Sequence, residues 1–322
     1  MSERYARQSV LPQIGAAGQE RLAAASVLVI GAGGLGCVVL QYLCAAGVGR
    51  LMVLDPDRVE ESNLHRQPLY RMSDLGSAKA LAAASSLAAL NPEVRIEAAV
   101  ERITPANAPE WCARADLVVD AADSLALTYI LSDECQRQRK PLVSASVLGL
   151  AGYAGVFCAE APSYRAVFPD MPQRAGSCAE TGVLGSAVGV LGTLEAHLVL
   201  AQLLGLKPPV SGRLVSVDLA TLRFGGFTFR NAREPAPPFL RFIAAQDVRP
   251  EDKVIDLRSL AEAPRSPFPH CERRLPEQMH QFTPPPGARV VLCCRSGIRA
   301  WQAGRSLLER TACEVALVAL GN

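Results

Sequence analysis

The chain has 322 residues, 49% of them hydrophobic and 20% charged, with 33 Lys and Arg against 31 Asp and Glu for a formal charge of +2. This describes a globular chain of one large or two smaller domains, able to bury a large core. The balanced charge contains no basic block, which argues against a nucleic-acid or membrane-surface partner.

The N-terminus, Met1 to Gln8, carries no apolar signal region, and ten cysteines are scattered with no CxxC pair. Together these predict a cytoplasmic protein with reduced thiols. Residues 16–25 read as a short helix before an apolar strand, Val27 to Ile30. The chain then turns through Gly31-Ala32-Gly33-Gly34-Leu35-Gly36 into a helix that ends at Gly47. Cys37 and Cys44, seven apart on that helix, read as core packing. A second strand, Leu51 to Leu54, ends at Asp55. Strand, glycine turn, helix, strand and terminal acid are the parts of a nucleotide site. Gly31, Gly33, Gly34 and Gly36 let backbone approach phosphate, the helix N-terminus offers free N–H groups, and Asp55 can accept from ribose hydroxyls.

Residues 78–90 form an alanine-rich helix stopped at Asn91-Pro92, and residues 94–100 alternate like a strand. A short buried strand at 116–120, a helix at 124–139 and strands at 142–147 and 152–158 follow. This alternation implies a Rossmann-like α/β fold with a parallel, doubly wound sheet. Residues 152–158, 213–218 and 221–229 lie close enough in sequence to extend it with antiparallel strands. The run 182–206 is apolar enough to suggest a membrane span, but it contains Glu195, His197 and several glycines, so a buried core helix is expected. Residues 231–250 are proline-rich and read as a linker. They separate a first domain, residues 1–235, from a second and smaller α/β unit within 236–322. That unit has strands at 253–258, 288–292 and 314–318 and a helix reaching Arg310.

Beyond Asp55 stand Asp57, Asn63, Arg66, Gln67, Lys79 and Asp123. A hydride-transfer enzyme has no need of two cations and a further acid there, whereas a triphosphate site does. The pieces Arg4-Tyr5-Ala6-Arg7-Gln8, GAGGLG, LDPD (54–57), SNLHRQ (62–67), GSAK (76–79) and DAADS (120–124) resemble the bacterial MoeB/ThiF/HesA adenylyltransferases, relatives of ubiquitin-activating enzymes, over roughly residues 3–230. The resemblance implies ATP-dependent adenylation, with release of pyrophosphate, of the C-terminal glycine of a small ubiquitin-like sulfur carrier protein ending in Gly-Gly. It also implies roles. Arg66 and Lys79 contact phosphates, Asp123 holds Mg²⁺, Asp55 binds ribose and Asn63 orients the phosphates. Asp57 and Gln67 belong to the same nucleotide-binding set. Arg7 reaches into the partner's site, so a homodimer is expected. His65 reads as a variable position beside the motif.

Two departures from that family stand out. Many members bind structural zinc through two CxxC pairs, but Ser163 and Ala166 stand where the first pair would be, and residues 231–237 contain no cysteine. No zinc is therefore expected. The loop 176–182 keeps its cysteine, Cys178, which in some members forms a covalent link with the carrier.

Cys294-Arg295-Ser296-Gly297-Ile298-Arg299, between a strand and a helix, resembles a rhodanese active loop in a shortened module. Successive backbone N–H groups there would stabilise a thiolate or persulfide, and Arg295 and Arg299 would add positive potential. Cys293 reads as the buried end of the strand. The module would pass sulfur from a persulfide donor to the adenylated carrier as a thiocarboxylate. Two rival readings are a non-catalytic scaffold that docks a carrier and an NAD-dependent oxidoreductase.

Overall fold

Short apolar segments dominate the centre of the molecule, and the computed structural model describes residues 3–172, 182–237 and 239–321. β1 (Ser26–Ile30), β2 (Arg50–Leu54), β3 (Arg95–Ala99), β4 (Leu117–Asp120) and β5 (Leu142–Leu148) lie parallel. β6 (Ala151–Phe157), β7 (Arg213–Asp218) and β8 (Arg223–Thr228) continue the sheet antiparallel, giving the order β3-β2-β1-β4-β5-β6-β7-β8. The central strands have no polar face because both sides are covered. Val27 and Val29 join the core under α3 (Gly34–Ala46), α4 (Lys79–Leu90) and α8 (Gly185–Leu204). Leu28 and Ile30 point the other way, towards α5 (Ala108–Ala113) and α6 (Leu125–Gln138). Short helices α1 (Ala6–Ser9) and α2 (Gly15–Ala24) precede β1, and α7 (Tyr164–Val167) follows β6. β1 lies between β2 and β4, so the chain order reverses there and a crevice opens at the carboxyl ends of β1 and β4.

The apolar run in 182–206 is α8, long and apolar enough to cross a membrane by length and composition. It packs along α3, β5 and β6, and Glu195 on it is fully buried.

A second sheet is parallel throughout, in the order β11-β10-β12-β13-β9. Its strands are β9 (Arg241–Phe242), β10 (Lys253–Asp256), β11 (Glu272–Arg273), β12 (Arg289–Cys294) and β13 (Glu314–Ala319), and α9 (Ile298–Arg310) packs on it. The expected linker 231–250 is corrected here: it contains β9, and Leu240 and Phe242 are buried. Proline density concealed a two-residue edge strand in which Arg241 is exposed and Phe242 faces inward. One core runs through both parts. Tyr129 of α6 lies 4.8 Å from Trp301 of α9 between ring centroids, and Phe242 stacks on Trp301 at 6.2 Å.

Candidate active site

The turn after β1 is built by glycine. Gly31 has φ +94° and donates its N–H to the carbonyl of Leu54 at 2.8 Å. A side chain on Gly36 would come within 1.9 Å of the Gly31 oxygen, so helix and turn touch only because residue 36 is glycine. α3 begins at Gly34 with no side-chain cap, leaving its first amides directed at the crevice. Such a cradle fits phosphate.

Asp55 is buried and accepts from both sides. Ala32 N–H in the glycine turn donates to one carboxylate oxygen at 2.7 Å, and Asp57 N–H donates to the other at 2.8 Å. Burial pushes its carboxyl above the usual range, opposed by those two amides and by Lys79. The remaining lone pairs suit ribose hydroxyls. Lys79 opens α4 as a buried residue, and its ammonium pairs at 3.3 Å with Asp57, whose side chain is 62% exposed. A buried cation whose ion-pair partner is loosely held in solvent is free to take a phosphate. Tyr70, which sequence reading passed over, ties these parts together. Its hydroxyl lies 2.7 Å from the Ala32 carbonyl and 3.2 Å from that of Lys79.

The loop after Asp57 supplies polar groups. Gln67 donates to Asn63 Oδ1 at 2.9 Å, and both are buried. The Gln67 oxygen is buried without a hydrogen-bond partner among the described residues, and its amide nitrogen lies beside Gly33. Arg66 is half-buried, held by the Ser62 carbonyl at 3.2 Å and by His65 Nε2 at 2.7 Å, so His65 does have a local contact.

Across the crevice, Asp123 is exposed just before α6, and no side-chain cap is made at the start of that helix. It is thus available to a cation rather than occupied as a cap. Behind it Asp120 is buried, accepts from Ser144 Oγ at 3.0 Å, and has its carboxyl pushed up to about 6 by burial. Asp120 and Ser144 brace the turn that carries Asp123, and the sequence signal for them is only the first acid of DAADS.

Arg7 is not brought to this site. It is exposed on α1, and its neighbour Gln8 bonds to the Ala46 carbonyl at the far end of α3. Thirteen helical residues separate that end from the glycine turn, about 18 Å at 1.5 Å per residue. Cys178 lies outside the described residues. The two segments that lack the expected cysteine pairs do meet: Ser163 donates from its amide and its hydroxyl to Glu234.

Cys294 is the last residue of β12 and not a loop residue, because the strand continues to pair with β13 through it. Its sulfur accepts the N–H groups of Gly297 at 3.2 Å and Ala300 at 3.4 Å, the expected nest. The thiol is fully buried. Arg299 interacts with it, and the same guanidinium is also held bidentately by Glu262 and by the Leu257 carbonyl, which offsets part of its positive potential. Arg295 is exposed and has an interaction of its own. Cys293 is buried, as expected.

Comparison with known proteins adds a family. Residues 5–238 match the ThiF family, and the second sheet lies beyond that match. The chain is similar to the sulfur carrier protein adenylyltransferase of Thermus thermophilus, with 47% identity over 244 residues, covering 73% of this chain and 89% of the relative. It is 38% identical to the SAMP-activating enzyme E1 of Haloferax volcanii over 71% of this chain and 85% of the relative. It is 48% identical to the adenylyltransferase and sulfurtransferase MOCS3 of Bos taurus over 67% of this chain. The match covers 48% of that relative, so the chain spans about half its length. Among solved structures, Escherichia coli MccB with ATP aligns with a TM-score of 0.64 at 20% identity over 74% of each chain, a likeness of fold.

Proposed function

Because this chain belongs to the ThiF family, we propose that it adenylates the C-terminal glycine of a small ubiquitin-like sulfur carrier protein ending in Gly-Gly. The names of the Thermus and Haloferax relatives support this reading. One observation carries it: Asp55 is bonded to the glycine turn while buried Lys79 stands beside it, ion-paired with an exposed acid, Asp57.

The chemistry needs positioning more than proton transfer. A glycine carboxylate is already ionised at neutral pH, so its attack on the α-phosphate requires no general base. Asp55 orients the ribose, and the glycine turn and the start of α3 receive phosphate oxygens. Lys79 and Arg66 hold the pyrophosphate as it leaves, while Asn63 and Gln67 fix the loop against it. Asp123 would hold Mg²⁺, which neutralises charge on the phosphates. The reading includes a homodimer in which Arg7 serves the partner's site, a reducing cytoplasmic setting, and no structural zinc.

The second unit completes the sequence. Cys294 would carry sulfur as a persulfide stabilised by the Gly297 and Ala300 amides and pass it to the activated carrier. The adenylyltransferase and sulfurtransferase name of the bovine relative supports the pairing. ATP–pyrophosphate exchange that depends on a carrier ending in Gly-Gly tests the first step. Absence of exchange with every such carrier would end the proposal.

A further inference from the structure

We propose that one carrier tail is activated and sulfurated in cis, because the Cys294 loop is fixed beside the adenylation crevice of its own chain. This rests on the function proposed above and adds which copy of Cys294 serves which Asp123.

Three contacts set the placement. Gly297, in the loop after Cys294, has φ +85° and packs so tightly that a methyl group there would meet Phe242 at 2.7 Å and Ala126 at 3.0 Å. Ala126 belongs to the first turn of α6, three residues beyond Asp123. Three residues span at most about 10 Å. At the other end of the loop, the Leu320 and Gly321 amides donate to the carbonyls of Cys294 and Arg295. A methyl on Gly321 would touch the Arg102 side chain, which follows β3. The segments after β3 and β4 both lie at the carboxyl edge of the first sheet, where the glycine turn also lies.

The placement is held firmly from the side. Ser163 binds both oxygens of Glu234, and the guanidinium of Arg165 lies 5.2 Å from the Phe239 ring and 5.2 Å from Trp301. α7 thus grips the connecting segment directly before β9. The core through Tyr129, Phe242 and Trp301 is continuous across the join, so free swinging of the second unit would expose aromatic surface to water.

An extended tail advances about 3.4 Å per residue, so a few residues cover the gap between the two centres. Thiosulfate supplies a sulfane sulfur to the Cys294 thiolate and leaves as sulfite. The terminal sulfur of the persulfide then attacks the activated carbonyl, and the bond to AMP breaks with AMP taking the electron pair. A small-molecule thiol reduces the resulting acyl disulfide by two electrons and frees the thiocarboxylate. The thiol is buried, so the loop over it must open locally for both transfers while the core that joins the two units stays packed.

The test mixes Asp123→Asn and Cys294→Ser chains, both in solution and by co-expression. The probe is a ubiquitin-fold sulfur carrier protein ending in Gly-Gly, with thiosulfate and dithiothreitol. Cis delivery predicts that the mixture makes no more thiocarboxylate than either variant alone, while Cys294→Ser keeps full pyrophosphate exchange. Recovery towards the yield of wild-type chain at half concentration overturns it, because sulfur would then cross between copies. A wild-type chain that exchanges pyrophosphate but gives no thiocarboxylate also overturns it, and leaves adenylation standing. A wild-type chain without exchange overturns the proposed function itself.

Discussion

Ser163 donates its hydroxyl hydrogen to one oxygen of Glu234 at 2.6 Å and its amide hydrogen to the other at 2.7 Å, across 71 positions of sequence. The same hydroxyl accepts from Ala166 N–H and caps α7. Glu234→Ala should cost about 1 kcal/mol, the worth of hydrogen bonds to a partly solvated carboxylate. Thermal melting read with and without a chelator checks this. A chelator that lowers the wild-type melting point, or one zinc per chain by metal analysis, would show that a metal shares the join.

Asp123 is exposed and uncapped beside a buried brace, so it should bind metal without contributing to the fold. Asp123→Asn should lower carrier-dependent exchange by about a hundredfold or more, since it removes an electrostatic anchor of the phosphates. Its melting point should be unchanged. Near-normal exchange would mean that Mg²⁺ is held elsewhere.

Glu195 is fully buried on α8, and neither carboxylate oxygen has a hydrogen-bond partner among the described residues. Burial, reinforced by Asp120 and only partly opposed by the Ala145 backbone amide, which falls short of full hydrogen-bond geometry, raises its carboxyl well above the usual range. The folded value therefore exceeds the unfolded one, and the sign follows: the fold binds the proton more tightly. Stability from this group is complete below the unfolded value, near 4.3 for Glu at about ordinary conditions, and is lost as pH rises towards the folded one. Glu195→Leu should stabilise the chain by about 1–3 kcal/mol at pH near 8 and by less in acid. Denaturant titrations at two pH values decide it; an equal or larger gain in acid would contradict the assignment.

Gly36 and Gly34 should respond differently to alanine. At Gly36 the new methyl meets backbone oxygen at 1.9 Å, which nothing can relieve without moving the turn. At Gly34 it meets a methyl of the Val188 side chain at 2.7 Å, a contact that a small shift of α8 relieves without moving the turn. Gly36→Ala should cost about 3 kcal/mol or more and abolish nucleotide binding, whereas Gly34→Ala should cost about 1 kcal/mol. Calorimetry with ATP separates the two.

Arg7 is exposed on α1, beside the end of α3 that lies far from its own crevice. Arg7→Ala should lower exchange by about tenfold or more if it completes the neighbouring copy's phosphate site, while sedimentation still shows a dimer. A fully active stable monomer would rule that arrangement out.

The first sheet was legible because its signals are local. Apolar runs of four or five residues separated by helices give parallel order, and GAGGLG with Asp55 places the crevice. Asp57, Asn63, Arg66, Gln67 and Lys79 also gather there as the motif order implies. Tyr70, Ser144 and Glu234 could not be read out, because each works through a partner distant in sequence and has no pattern of its own. The same holds for β9, where two residues pair with β13 across some seventy positions. The burial of Cys294 has no local signal either, because Gly297 of its loop packs against Phe242 and Ala126, which come from elsewhere in the chain.

The continuous aromatic seam through Tyr129, Phe242 and Trp301 has an evolutionary consequence. A chain shortened to the ThiF-matching segment would lose Phe242 and Trp301 and leave the outer face of α6 bare, a sticky surface that invites aggregation. In this chain the second unit is therefore not an independent cassette, and a decayed Cys294 loop would leave its other role, as a structural buttress of α6, intact.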